Sequence, residues 1–129
     1  MKLADVARVL DAKPISPSAD IDLEVACACA ADLISDVLAF AGACALLLTG
    51  LTNPQVILAS DVAWVVAALF VRGKSPLPET ERLAAEAGIT LLQTPHSMFE
   101  SCGRLYEAGL REGGGPTNTP REGSVEERA

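Results

Sequence analysis

Apolar positions along residues 1–110 fall into two patterns. Leu3, Val6, Val9 and Leu10 recur at helical spacing and predict a short first helix. Four short apolar runs, at 25–30, 45–49, 65–71 and 89–92, are bounded by turn residues and fit buried strands better than helices. Helical signals separate the runs. Asn53-Pro54 is an N-cap followed by proline at the first helical position, and it opens a helix over 55–63. Pro78 opens another, with Glu79 and Glu81 near its positive end and Gly88 closing it. Ser97-Met98-Phe99-Glu100 has the form of a capping box. Beyond it, Met98, Cys102, Leu105 and Tyr106 share one helix face, with Gly109 near the end. A further short helix is expected within 32–43, capped by Ser35. Residues 13–22, with Pro14 and Pro17, read as a connector.

The order is therefore helix, connector, then strand–helix four times. Continuous apolar strands separated by helices predict an α/β fold. The expectation is a single domain, a mainly parallel sheet of about four to five strands, helices on both faces and right-handed crossovers. Composition breaks once, after Leu110. The domain is expected over 1–110. Residues 111–129, with Val125 as their one sizeable apolar side chain, read as a disordered C-terminal tail.

Composition excludes several classes of function. Of 129 residues half are hydrophobic and only 4% aromatic, so the core must be aliphatic. The formal charge is −7, which argues against nucleic acid and against an anionic membrane surface as partners. The start carries no signal-peptide pattern. The longest apolar stretch, at 37–48, is far short of the roughly 20 residues of a membrane span. A cytoplasmic location is expected, with Cys27, Cys29, Cys44 and Cys102 as free thiols packed as small hydrophobes.

In an open parallel sheet ligands bind beyond the carboxyl ends of the strands. Four loops meet that description. They bring Asp32, Ser35 and Asp36 after the first run, and Thr49-Gly50-Leu51-Thr52-Asn53-Pro54 after the second. Arg72-Gly73-Lys74-Ser75 follows the third, and Thr94-Pro95-His96-Ser97 the fourth. The candidate ligand-binding residues are thus Asp32, Ser35, Asp36, Thr49, Gly50, Thr52, Asn53, Arg72, Lys74 and Ser97. Arg72 and Lys74 would grip an anion, Gly50 would permit close approach or a positive φ, and the helix starts at Asn53 and Ser97 would offer N–H groups. The same residue types are what caps and turns require with or without a ligand. Gly73-Lys74-Ser75 resembles half of a phosphate-binding loop, but the position five before Gly73 is Ala68, inside a strand run, so nucleotide hydrolysis and kinase chemistry are excluded. His96 stands alone, and no catalytic set, metal site or cofactor is called for. Asp32 and Asp36, at i and i+4, could form a carboxylate pair on one helix face. Cys27 and Cys29 share a strand face and leave open a thiol-based redox sensor. An enzyme acting on a phosphorylated or acidic metabolite through Asp32, Asp36, Arg72 and Lys74 is the other alternative.

Four segments together resemble stand-alone DRTGG-domain proteins. They are the decapeptide from Ala31 to Phe40, the stretch Leu46-Leu47-Leu48-Thr49-Gly50-Leu51-Thr52-Asn53-Pro54-Gln55-Val56, Phe70-Val71-Arg72-Gly73-Lys74-Ser75-Pro76, and Ser97-Met98-Phe99-Glu100-Ser101-Cys102-Gly103. The Asp-Arg-Thr-Gly-Gly string itself is absent. The resemblance implies a domain like the N-terminal domain of HPr kinase/phosphorylase and the DRTGG modules of phosphotransacetylases and CBS-containing pyrophosphatases. It implies a non-catalytic regulatory or assembly module that forms a homodimer; with the strand-end loops, the favoured reading is a regulatory or interaction domain that binds a nucleotide or other small anionic ligand there. It also implies a setting beside hydrogenase-type redox enzymes, a possible class of partner. Residues 37–45 and the Trp64 region are the expected contact surface of the dimer.

Overall fold

The structure is a computed structural model, and it describes residues 1–15, 19–42 and 45–113. Five helices and five strands follow one another as α1 (Leu3–Leu10), β1 (Lys13–Pro14), β2 (Cys27–Ala30), α2 (Ile34–Phe40), β3 (Ala45–Thr49), α3 (Pro54–Val62), β4 (Val65–Phe70), α4 (Pro78–Ala87), β5 (Thr90–Gln93) and α5 (Met98–Glu107). The strands form one sheet in the order β1-β5-β4-β3-β2. β2 to β5 are parallel and β1 is antiparallel to β5. The fold class expected from the apolar runs is the one observed. The connector differs from expectation, since Lys13 and Pro14 pair with Gln93 and Leu92 as a two-residue edge strand. An edge is where a sheet accepts proline, which has no N–H to donate.

Alternation along each strand divides the core into two layers. Leu47, Ala68, Phe70 and Leu91 point to the layer covered by α2, α3 and α4. Leu46, Leu48, Ala67, Leu69 and Leu92 point to the layer under α1 and α5. α1 is held there by Leu3, Val6 and Leu10, all with no accessible surface. Each such side chain contributes roughly 1.5–3 kcal/mol when buried. Val25, expected within a strand, joins this layer just ahead of β2.

The register levels the strand ends. Ala30 pairs with Leu48, Thr49 with Phe70, and Phe70 with Gln93. The loops after β2 to β5 therefore emerge along one edge. The steps β2, β3, β4, β5 all run in one direction across the sheet, so the fold has no point where the winding reverses and no crevice of that origin. The four loops form an open shelf.

Candidate functional site

The shelf is built from residues tied to one another across its loops. Asp32 Oδ1 accepts the Gly50 N–H at 2.7 Å and the Thr49 hydroxyl at 3.3 Å. Thr49, wholly buried at the end of β3, accepts the Leu51 N–H on its own hydroxyl at 3.0 Å. On the other side of Gly50, Lys74 Nζ donates to the Gly50 carbonyl at 3.5 Å. A Cβ at Gly50 would lie 3.4 Å from Lys74 Nζ and 3.5 Å from Asp32 Oδ1. Those are ordinary van der Waals distances, so neither close approach nor a positive φ requires glycine here. The left-handed conformation expected as an alternative falls instead on Arg72 (φ 59°) and Gly73 (φ 66°).

That turn is fastened at several points. Arg72 N–H donates to the His96 carbonyl and Gly73 N–H to the Thr94 carbonyl, both at 2.7 Å. The Gln93 amide donates to the carbonyls of Gly73 and Lys74 and to Ser75 Oγ, at 3.1, 2.8 and 3.0 Å. The turn thus holds Arg72 and Lys74 out from the sheet. Arg8, Arg82 and Arg104 all have carboxylate partners. Arg72 and Lys74, both exposed, have none within ion-pair distance among the described residues.

The other candidate residues divide. Asn53 caps α3 as expected, its Oδ1 accepting the Val56 N–H at 3.3 Å, with Pro54 at the first helical position. The Thr52 carbonyl accepts from Leu77 N–H and, at 2.7 Å, from the buried Thr80 hydroxyl, which joins the α3 loop to the start of α4. Ser97 caps α5 by accepting the Glu100 N–H at 3.1 Å. The return half of its capping box is not made, because the Glu100 carboxylate pairs with Arg104 one turn on. Ser35 is not a cap: Leu33 holds that place, and Ser35 lies exposed inside the first turn of α2. Asp32 precedes the helix while Asp36 lies within it, so the two do not form a carboxylate pair on one helix face. No hydrogen bond among the described residues joins Ser35 or Asp36 to the Gly50 cluster.

Sequence reasoning missed three contributors. Gln93 could have been suspected as the polar residue ending an apolar run. The Thr80–Thr52 tie and the contact of His96 Nε2 with Asp11 Oδ2 at 3.0 Å join residues far apart in the chain, and nothing local signals them.

Two of the thiols are held in the protonated form. Burial pushes the Cys29 thiol above its ordinary range, and the charges of Glu112, Cys27 and Asp36 add to the effect. Burial raises Cys102 in the same way. A thiol kept protonated is a weak nucleophile. Cys44 lies outside the described residues. No group of three or more metal-ligating side chains occurs among the described residues, and no helix there is long and apolar enough to cross a membrane. Away from the shelf lie two larger cavities and a third of about 200 Å³ between α3 and α4, lined by Leu58, Asp61, Leu83 and Glu86. One of about 470 Å³ lies between α4 and β5, lined by Asp20, Glu81, Arg82 and Thr90. The other, of about 250 Å³, lies between α5 and β2, lined by Ala28, Leu48, Cys102 and Tyr106.

No protein-family model and no curated protein matches the chain. Among solved structures it is similar to the CBS and DRTGG domains of the regulatory region of a Clostridium perfringens pyrophosphatase, a structure complexed with the activator diadenosine tetraphosphate. The TM-score is 0.61 at 16% identity. The match covers 81% of this chain and 45% of that one, so the chain spans less than half of its neighbour's length. The likeness is one of fold, to part of that regulatory region.

Proposed function

We propose that this chain is a non-catalytic regulatory domain of the cytoplasm that binds a small anionic ligand, of nucleotide class, on the shelf at its strand ends, and that it self-associates. One observation carries the ligand reading: a tightly fastened turn presents Arg72 and Lys74 without carboxylate partners, in a chain of net charge −7. The fastened backbone aims both side chains outward, and an arginine fork suits a phosphate. Asp32 lies across Gly50 from Lys74 and has its second oxygen available to accept from a ligand hydroxyl or amino group. An anion at one end and hydrogen-bond donors at the other describe a nucleotide. The nucleotide activator in the structurally similar regulatory region supports that class. The exposed Phe99 and Tyr106 on α5 support self-association.

The test is a thermal-shift series on the full chain with mononucleotides, cyclic dinucleotides, diadenosine tetraphosphate and inorganic phosphate. A ligand at a hundred times its dissociation constant stabilises the native state by roughly 2.7 kcal/mol. A shift with a nucleotide that Arg72→Ala removes is the expected result. No shift with any of these ligands overturns the reading.

A further inference from the structure

We propose that the outer face of α5 is the self-association surface, on which a second copy of this chain seats its own α5 antiparallel, with Gly103 at the point of closest approach. The inference rests on the self-association part of the function proposed above and assigns it a place. Three observations meet on this face. Gly103 lies in the middle of a ten-residue helix, where glycine is less stable than alanine. A Cβ there would meet nothing within 4 Å, so the described chain gives no reason for the glycine. Phe99 is 89% exposed and Tyr106 60%, one turn to either side of Gly103 and on the same face. The exposed Gly103 thus forms a notch between two aromatic side chains.

The charges on α5 identify the occupant. Glu100 precedes Arg104 by one turn, and the two already pair along the helix. In an antiparallel pair with Phe99 of one copy level with Tyr106 of the other, Glu100 falls about 1.5 Å, one residue's rise, from level with Arg104 of the second copy. The pattern complements itself in that register. A parallel pair would put the Glu100–Arg104 flanks of the two copies on opposite sides of the contact, where neither residue meets its complement. A second exposed apolar surface, at Leu58, Val62 and Trp64, lacks this property, since Leu58 is bordered by Asp61 and by Glu86, whose cation Arg82 it shares with Glu79. Of the expected dimer segment 37–45, Val37, Ala41 and Ala45 are core, while Leu38 and Phe40 are exposed. A pair of ten-residue helices covers less area than a standard interface, so association should depend strongly on concentration.

Sedimentation of the full chain from low to high micromolar concentration tests this. Dimer formation is expected, with a dissociation constant raised at least about tenfold by Phe99→Ser and by Gly103→Ala. Gly103→Ala should at the same time raise the melting temperature of the dilute monomer, an effect opposite to that of a damaged fold. Trp64→Ser should leave association unchanged. A dimer indifferent to Phe99→Ser and Gly103→Ala but lost in Trp64→Ser overturns this placement and leaves self-association standing. A monomer at every concentration overturns both.

Discussion

Asp32 Oδ1, 2.7 Å from the Gly50 amide nitrogen, joins the loop after β2 to the end of β3 with one carboxylate. Hydrogen bonds to charged groups contribute about 1.5–3 kcal/mol, and solvent competes for an exposed carboxylate, so Asp32→Ala should cost about 1 kcal/mol. Asp32→Asn keeps an acceptor and should recover part of the loss. Urea denaturation of both variants checks this. An alanine variant as stable as the parent would show that the contact contributes nothing to the fold.

Caps can be separated from bystanders by the same measurement. Asn53→Ala and Ser97→Ala each remove a side-chain acceptor from a helix start and should each cost about 1 kcal/mol. Ser35→Ala, inside the first turn and capping nothing, should stay within about 0.5 kcal/mol of the parent. A Ser35 variant as damaging as the Asn53 variant would contradict the assignment of Leu33 to the cap of α2.

The contrast between Asn53 and Ser35 shows what was legible. Asn53-Pro54 ends an apolar strand run and begins a helix, and both signals are local, so sequence and structure agree. At α2 the apolar spacing is weak and the helix seven residues long, and Asp32, Ser35 and Asp36 all offer capping side chains around a start whose cap position falls on Leu33. β1 escaped notice because a two-residue strand carries no periodicity; β5 alone makes Lys13–Pro14 a strand. The shelf followed from the parallel topology, since every parallel strand exits on the same edge. The Asp32–Gly50–Lys74 cluster depended on register, and no spacing in the sequence encodes register.

The buried thiols carry a pH signature. Cys29 and Cys102 hold their protons more tightly in the folded protein than in the unfolded chain. Their contribution is fully present below the ordinary thiol value of about 8.5 and is lost as pH rises through the raised folded values. Stability should therefore decline on the alkaline side, and Cys29→Ala should flatten that limb of a denaturation series run against pH. Alkylation of Cys29 near neutral pH should be slow in the native state. Rapid labelling there would revive the redox reading.

The body should fold without the last residues. Removing residues 113–129 deletes almost no apolar surface and should leave the melting temperature nearly unchanged. Removing residues 111–129 instead should destabilise. Ala28 N–H donates to the Arg111 carbonyl at 2.9 Å, and the Arg111 guanidinium lies 3.8 Å from the centre of the Tyr106 ring. A stack of that kind contributes about 0.5–1 kcal/mol at an exposed site. A fall of many degrees for the shorter deletion would move the domain boundary beyond residue 113.

Arg72 offers the sharpest separation of binding from folding. Its backbone is left-handed, φ 59°, which costs a residue other than glycine roughly 1–2 kcal/mol. Its side chain is exposed and makes no ion pair among the described residues. Arg72→Ala keeps the strained backbone and removes only the guanidinium, so stability should barely change. Arg72→Gly removes the guanidinium and relieves the strain, so it should stabilise by about 1 kcal/mol. Both should lose the thermal shift with a nucleotide, because the anion has then only Lys74 to hold it. A shelf that serves folding alone gives the opposite pattern, with Arg72→Ala destabilised and nucleotide binding intact. Calorimetric titration of the two variants beside their urea midpoints decides between the two, since strain relief and loss of charge move the two measurements independently.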